Sequence, residues 1–218
     1  MKNLQKMGGI GALYLAAAYI VGMVGFLAVV DISGIVDPVQ KVASLAENQT
    51  ILSILHLLVY VVFGVFLVVL ALALYDRLKA GSPAIAQVAA VFGLIWSGLL
   101  IASGTLYNEG MDTVIALSST DPAQAGTVWL TIETVFRGLS GIEIVGSIWI
   151  LLVSWGAFRG GELPKALNYL GVVIGIAGLL TVIPALFDIV VMVFALGQIV
   201  WFVWLGIILL RASSSAEA

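Results

Sequence analysis

Cysteine is absent from this 218-residue chain, histidine occurs once, and no run of lysine or arginine appears anywhere. Without a thiol there can be no disulfide framework, thiolate metal site, cysteine nucleophile or S-acylated anchor. A poly-histidine metal centre needs more than His56, so no metal site is expected. Charge is scarce as well: nine Lys and Arg stand against twelve Asp and Glu, a net charge of −3. Nothing of that kind neutralises a phosphate backbone, which excludes a nucleic-acid partner. A soluble domain has about a quarter of its residues charged. Here the share is 10%, with 62% hydrophobic and a mean hydropathy of +1.18. The class that survives is a polytopic membrane protein in contact with a lipid bilayer.

Crossing the hydrocarbon layer takes about 20 apolar residues in a helix. The few charges cut the chain into suitable lengths, and spans are expected at about 7–30, 51–75, 83–107, 126–158, 166–187 and 189–210. The expected fold is all-α, a six-transmembrane-helix bundle forming one domain over residues 1–218. The segment from Met1 to Lys6 could serve as the charged start of a signal peptide, but the apolar run behind it exceeds the usual length of about 7–15 residues. It reads as a retained first span. Short loops keep Lys and Arg on the cytoplasmic side. Lys2, Lys6, Arg77, Lys79, Arg159, Lys165 and Arg211 all fall at one set of alternate ends, and the other set carries Lys41 with Asp31, Asp37, Glu47, Glu109, Asp112 and Asp121. The expected location is the cytoplasmic membrane with both termini inside.

Two outer segments repeat a start signal. Asp37-Pro38-Val39-Gln40 and Asp121-Pro122-Ala123-Gln124 each place a capping carboxylate before a proline at the first helical position. Beyond the first, Val39, Val42, Ala43 and Ala46 share one face, which predicts a short amphipathic helix in the outer interface. A helix running unbroken from Pro122 to Phe158 would be roughly 55 Å long. A break is therefore expected near Gly126 or at Gly138/Gly141. Each start leads to a descending span, a basic turn with Pro83 or Pro164, and a rising span. That pattern fits a parallel internal repeat, as in some transporters, or simply two hairpins built from the same signals.

An ionisable residue at the centre of a span costs roughly 2.5–3.5 kcal/mol on insertion scales and must face protein or water. The fourth span has three. Glu133, Ser140, Glu143, Ser147 and Ser154 fall on one broad side at 100° per residue, with Arg137 one turn after Glu133 in the favourable orientation for an ion pair. This polar seam reads as a ligand site or proton path, or else as a structural ion pair with a protonated carboxyl. In the second span Ser53, His56, Tyr60 and Gly64 share a face. His56 lies at the depth of Arg137, and the two are expected to line an outward cavity with Asn108, Glu109 and Asp188, although a lone membrane histidine also serves simply in packing. The ligand-binding candidates are thus His56, Tyr60, Glu133, Arg137, Ser140, Glu143 and Ser147. Any cofactor is unknown from the sequence. Gly171, Gly175 and Gly178, with Asn168 on the same stripe, read as a close helix contact, and Gly22/Gly25 and Gly93/Gly98/Gly104 likewise.

Gly138-Leu139-Ser140-Gly141 matches the GxSG around the nucleophile of rhomboid intramembrane proteases, and His56 resembles the histidine that supports their oxyanion. A serine hydroxyl needs a base. Rhomboids take theirs from a histidine on the sixth span, where this chain has Gln198 and no histidine, and the Trp-Arg pair of their first loop is missing. The protease remains a remote alternative lacking its base, and no catalytic residue is assigned. The segments Glu143-Ile-Val-Gly-Ser-Ile-Trp149, Leu163-Pro-Lys-Ala-Leu-Asn-Tyr-Leu-Gly171 and Val200-Trp-Phe-Val-Trp-Leu-Gly206 resemble a bacterial and archaeal six-span family described as a domain of unknown function (the DUF4386-like group). That resemblance implies a six-helix membrane fold and supplies no activity. Two roles stay open: binding or transport of a small ligand or ion through the polar seam, and a non-catalytic subunit of a larger membrane complex. Six spans are few for a lone transporter, which implies a homo-oligomer or partner subunits.

Overall fold

The computed structural model describes residues 2–30, 34–140 and 143–214. Asp31, counted with the outer charges, and Gly141, one of the expected break points, lie outside the described residues. All regular structure among those described is helical. Helix α1 (Lys2–Val24) passes into a π-helical turn, Gly25–Val29, and a short α2 follows (Pro38–Glu47). Helix α3 (Gln49–His56) continues through a second π-helical turn, Leu57–Val62, into α4 (Phe63–Leu78). Then come α5 (Pro83–Ser118), α6 (Pro122–Ser140), α7 (Ile144–Gly160), α8 (Lys165–Leu179) and α9 (Phe187–Ser214). Six stretches are long and apolar enough to cross a membrane: Asn3–Val29, Gln49–Leu78, Pro83–Ser118, Pro122–Gly160, Lys165–Val182 and Pro184–Ala212. The chain is a multi-pass membrane protein with an all-helical fold.

Both proline starts are capped as their residues require: Asp37 Oδ1 accepts from Gln40 N, and Asp121 Oδ1 from Gln124 N, each at 2.9 Å. The helix entered at Pro122 runs unbroken past Gly126 and Gly138, stops at Ser140 and resumes at Ile144, with Glu143 in the non-helical position before the new helix. Helix α5 is longer than expected. It continues through Asn108, Glu109 and Asp112 to Ser118, about 54 Å in all. No proline interrupts that stretch, and Met111 and Val114 find a buried apolar contact there. Between α8 and α9 the residue before Pro184 is forced out of helix: Ile183 is extended, flanked by two 3₁₀ turns. Gly161 ends α7 at φ 71°, the left-handed position that lets its N–H reach Ala157 O.

The contacts divide into two compact units, residues 1–19, 63–98 and 142–218 forming the first and 20–62 and 99–141 the second. In the first, the rings of Trp96, Trp149, Trp201, Phe202 and Phe63 make one aromatic core. Arg77 donates from Nε and Nη2 to Glu162 O at 3.1 and 3.0 Å, and Ser82 Oγ donates to Gly156 O at 3.1 Å, so the two basic turns are tied together. Glycines sit where helices approach closely. A Cβ at Gly171 would collide with Ser154 Oγ, one at Gly175 with Leu151, and one at Gly178 with Ser147 Oγ. Gly93 is equally tight against Ala71 and Trp149, whereas Gly98, grouped with it from the sequence, has nothing within 4 Å. In lipid there is little hydrophobic drive between helices, and close van der Waals contact is a general source of their association. The outward residues are apolar, Leu72, Val173, Ile176 and Ile207 among them.

In the second unit Val42, Leu45, Leu52, Tyr107, Met111, Val114, Ala125 and Trp129 form a buried cluster. Helix α2 therefore presents Val42 and Leu45 inward, while Val39, Ala43 and Ala46 of the expected apolar face are exposed. The buried stripe runs through Lys41, Val42 and Leu45 because α6, rather than lipid, covers it.

Candidate functional site

His56 ends α3 and is 3% exposed. Its Nδ1–H donates to Leu52 O at 2.8 Å, one turn back, which leaves Nε2 as the ring's acceptor in the neutral form. Around the imidazole the second unit gathers rings. Tyr107 stacks on it at a centroid distance of 3.6 Å and 11°, Tyr60 lies parallel at 5.4 Å, and Phe26 and Phe136 close the edges at 5.0 and 5.7 Å. Trp129 meets Tyr107 edge-on at 5.0 Å. Helical bulges sit under this box: Phe26 lies in the first π-helical turn and Tyr60 in the second. Such turns recur at functional sites because the extra residue re-aims a side chain.

Two polar atoms of this cluster are buried without a hydrogen-bond partner. Asn108 uses Nδ2 to reach Ser53 O at 3.2 Å, but its Oδ1 is sealed and unmet. Trp129 Nε1 is likewise unmet, in a side chain that is 1% exposed. One is an acceptor and the other a donor: Trp129 meets the ring that stacks on His56, and Asn108 follows that ring's residue along α5. Leaving such groups unsatisfied costs roughly 1–3 kcal/mol each.

The ionised residues distribute differently from the sequence expectation. Glu133 pairs with Lys41 of α2, at 3.1 and 3.2 Å to its two carboxylate oxygens, and not with Arg137. Lys41 arrives because the packing of α2 on α6 turns it inward, whereas Arg137 is exposed on α6. Ser140 Oγ donates a hydrogen bond to Phe136 O one turn back at 2.9 Å. Glu109 is exposed, and Asp188 belongs to the first unit. So do Glu143 and Ser147: Ser147 Oγ donates to Glu143 O, and the Glu143 carboxylate has no ion pair or hydrogen bond among the described residues. The stripe read at 100° per residue assumed one continuous helix. Glu143 is not helical before Ile144, and Ser140 belongs to the second unit while Ser147 belongs to the first. A separate cleft in the first unit, lined by Gly81 to Ile85 and Arg159, contains none of the ligand-binding candidates.

Of the seven candidates, then, His56, Tyr60 and Glu133 stand at or beside one cluster. Phe26, Tyr107, Trp129, Phe136 and Lys41 were missed as site residues. Aromatic residues in an apolar chain carry no local mark of which ring faces which, and Lys41 was legible only as a topology marker. Residues 10–208 match the family described as Domain of unknown function (DUF4386). No curated protein and no solved structure matches the chain.

Proposed function

We propose that this chain, which belongs to the DUF4386 family, is a membrane module that binds a small polar ligand at the His56–Tyr107–Asn108–Trp129 cluster. The observations that carry this reading are a buried, unmatched donor, Trp129 Nε1, on a ring edge-on to the Tyr107 that stacks on His56, and a buried, unmatched acceptor, Asn108 Oδ1, one residue beyond Tyr107 on α5. A ligand offering one donor and one acceptor, with a flat or apolar body, would satisfy both atoms and lie against the aromatic walls. Because Glu133 already has Lys41, the cluster favours an uncharged molecule over a bare ion. Glu143 and the serine seam of the fourth span are not needed for this binding step. Transport would require further steps, and the small number of spans favours a homo-oligomer or partner subunits for it. In this reading the chain acts as one six-span domain of the cytoplasmic membrane, with both termini inside, as the basic turns favour.

The test is a thermal-shift screen of purified protein in nanodiscs against small neutral polar solutes, amines and simple ions. A neutral solute should raise Tm for the wild type and fail to do so for Trp129→Phe, which keeps the ring and removes the donor. If no solute shifts Tm, or Trp129→Phe and Asn108→Leu respond like wild type, ligand binding at this cluster is wrong. The accessory-subunit role then becomes the better account.

A further inference from the structure

Among the described residues of the first unit, three buried polar side chains have no hydrogen-bond partner: Ser154 on α7, and Gln198 and Trp201 on α9. Ser154 and Gln198 are 0% exposed and Trp201 is 1%. Both Gln198 heteroatoms are unmet, the amide nitrogen and the amide oxygen alike. The glycines of α8 show how these groups line up. A Cβ at Gly178 would meet Ser147 Oγ of α7 and Phe194 of α9, while one at Gly171 would meet Ser154 Oγ of α7 and Trp201 Nε1 of α9, the latter at 3.1 Å. From 147 to 154, from 178 to 171 and from 194 to 201 the interval is seven residues on each helix. The three helices therefore advance in step, and Gln198 falls inside that interval, one turn before Trp201. Ser154 and Trp201 flank the same glycine, and Gln198 follows on the same buried face of α9.

We propose that α7, α8 and α9 enclose an internal water site bounded by Ser154, Gln198 and Trp201. The indole N–H only donates, the hydroxyl donates and accepts, and the amide does both. None of the three is charged. A cation would face the indole and amide hydrogens, and an anion would find no positive charge beside it. Water supplies two donors and two acceptors in the smallest volume, and buried waters typically meet three or so groups of this kind. Within a membrane-spanning segment no solvent from outside can meet these groups, so the fold must carry its own. A side chain at Gly171 would run into the Ser154 hydroxyl and the Trp201 indole nitrogen, so the bare glycine backbone is what lets both polar groups approach α8. The site is independent of the ligand reading for the second unit and can stand if that one falls.

The experiment is NMR of detergent-solubilised protein carrying ¹⁵N-labelled tryptophan, with the Trp201 indole signal assigned through Trp201→Phe. The Trp201 indole proton should show a magnetisation-transfer cross-peak to water despite its burial. That cross-peak should disappear in Gln198→Leu and weaken in Ser154→Ala. A Trp201 indole signal without a water cross-peak in the wild type overturns the site. So does a cross-peak left unchanged in Ser154→Ala, a variant small enough to keep the fold should Gln198→Leu fail to assemble.

Discussion

Gly171→Ala adds one methyl group at the point where α7, α8 and α9 meet, and its cost can be worked from the neighbours. The new Cβ would collide with Ser154 Oγ and lie 3.1 Å from Trp201 Nε1. Alanine improves helix propensity over glycine by about 1 kcal/mol. Overpacking of a filled interior costs typically 1–3 kcal/mol, and here the obstructing atom is on a short, fully buried side chain that has nowhere to go. The net expectation is a loss of up to about 2 kcal/mol, or a fall of up to roughly 8 °C in Tm for a chain of this size. Ser154→Ala removes the obstructing oxygen. The nearest remaining atoms are then Trp201 Nε1 and, at 3.4 Å, the Cβ of residue 154, an ordinary contact. Gly171→Ala should therefore cost less in the Ser154→Ala background, where only the 3.1 Å approach to Trp201 Nε1 remains tight, giving a coupling on the order of 1 kcal/mol in the double-mutant cycle. Thermal unfolding in one detergent across the four proteins measures it, with Gly98→Ala as the control for a glycine that has nothing within 4 Å. Equal losses from Gly171→Ala in both backgrounds would refute the argument that Ser154 and Gly171 share this space.

The Lys41–Glu133 pair is partly shielded, its side chains 14% and 26% exposed. Either Lys41→Met or Glu133→Gln alone should destabilise by about 1–3 kcal/mol, and the double variant should recover much of that loss, because an uncompensated charge costs more than an absent pair; additive losses on thermal melting would argue that the pair is solvated. His56→Phe should keep the ring stack but lose the bond to Leu52 O, for a loss of about 0.5–1.5 kcal/mol, whereas His56→Ala, which also opens a cavity under Tyr107, should cost about 3 kcal/mol or more; equal melting temperatures would show that the ring does not support the cluster. For topology the chain is its own cysteine-free background. Cysteines at the exposed positions Ser119 and Ala46 should label from outside intact cells and one at Ala80, exposed in the basic turn, should not. Labelling of Ala80→Cys from outside would reverse the orientation.

Composition and charge spacing sufficed for the class of this protein and its six spans, because lipid tolerates neither exposed backbone nor scattered charge, and both leave marks in the linear chain. The two Asp-Pro caps were legible for a similar reason: a cap is a contact between residues three apart, complete within the local sequence. The stop in the fourth span could be foreseen from its excess length, though only to within a few residues. What the tertiary structure decided was partnership. Glu133 had Arg137 one turn away on its own helix, yet it pairs with Lys41, 92 residues distant, because packing of α2 on α6 turned the buried stripe of α2. His56 came to lie among Phe26, Tyr107 and Phe136 through three other segments whose rings carry no sequence pattern of their own. Gly98 and Gly171 look alike as letters, but one faces open space and the other a serine and an indole. Local signals determine where a helix begins and whether it can live in lipid. Which face it buries, and so which polar atoms are left unmet, depends on its neighbours and is settled only when the helices pack.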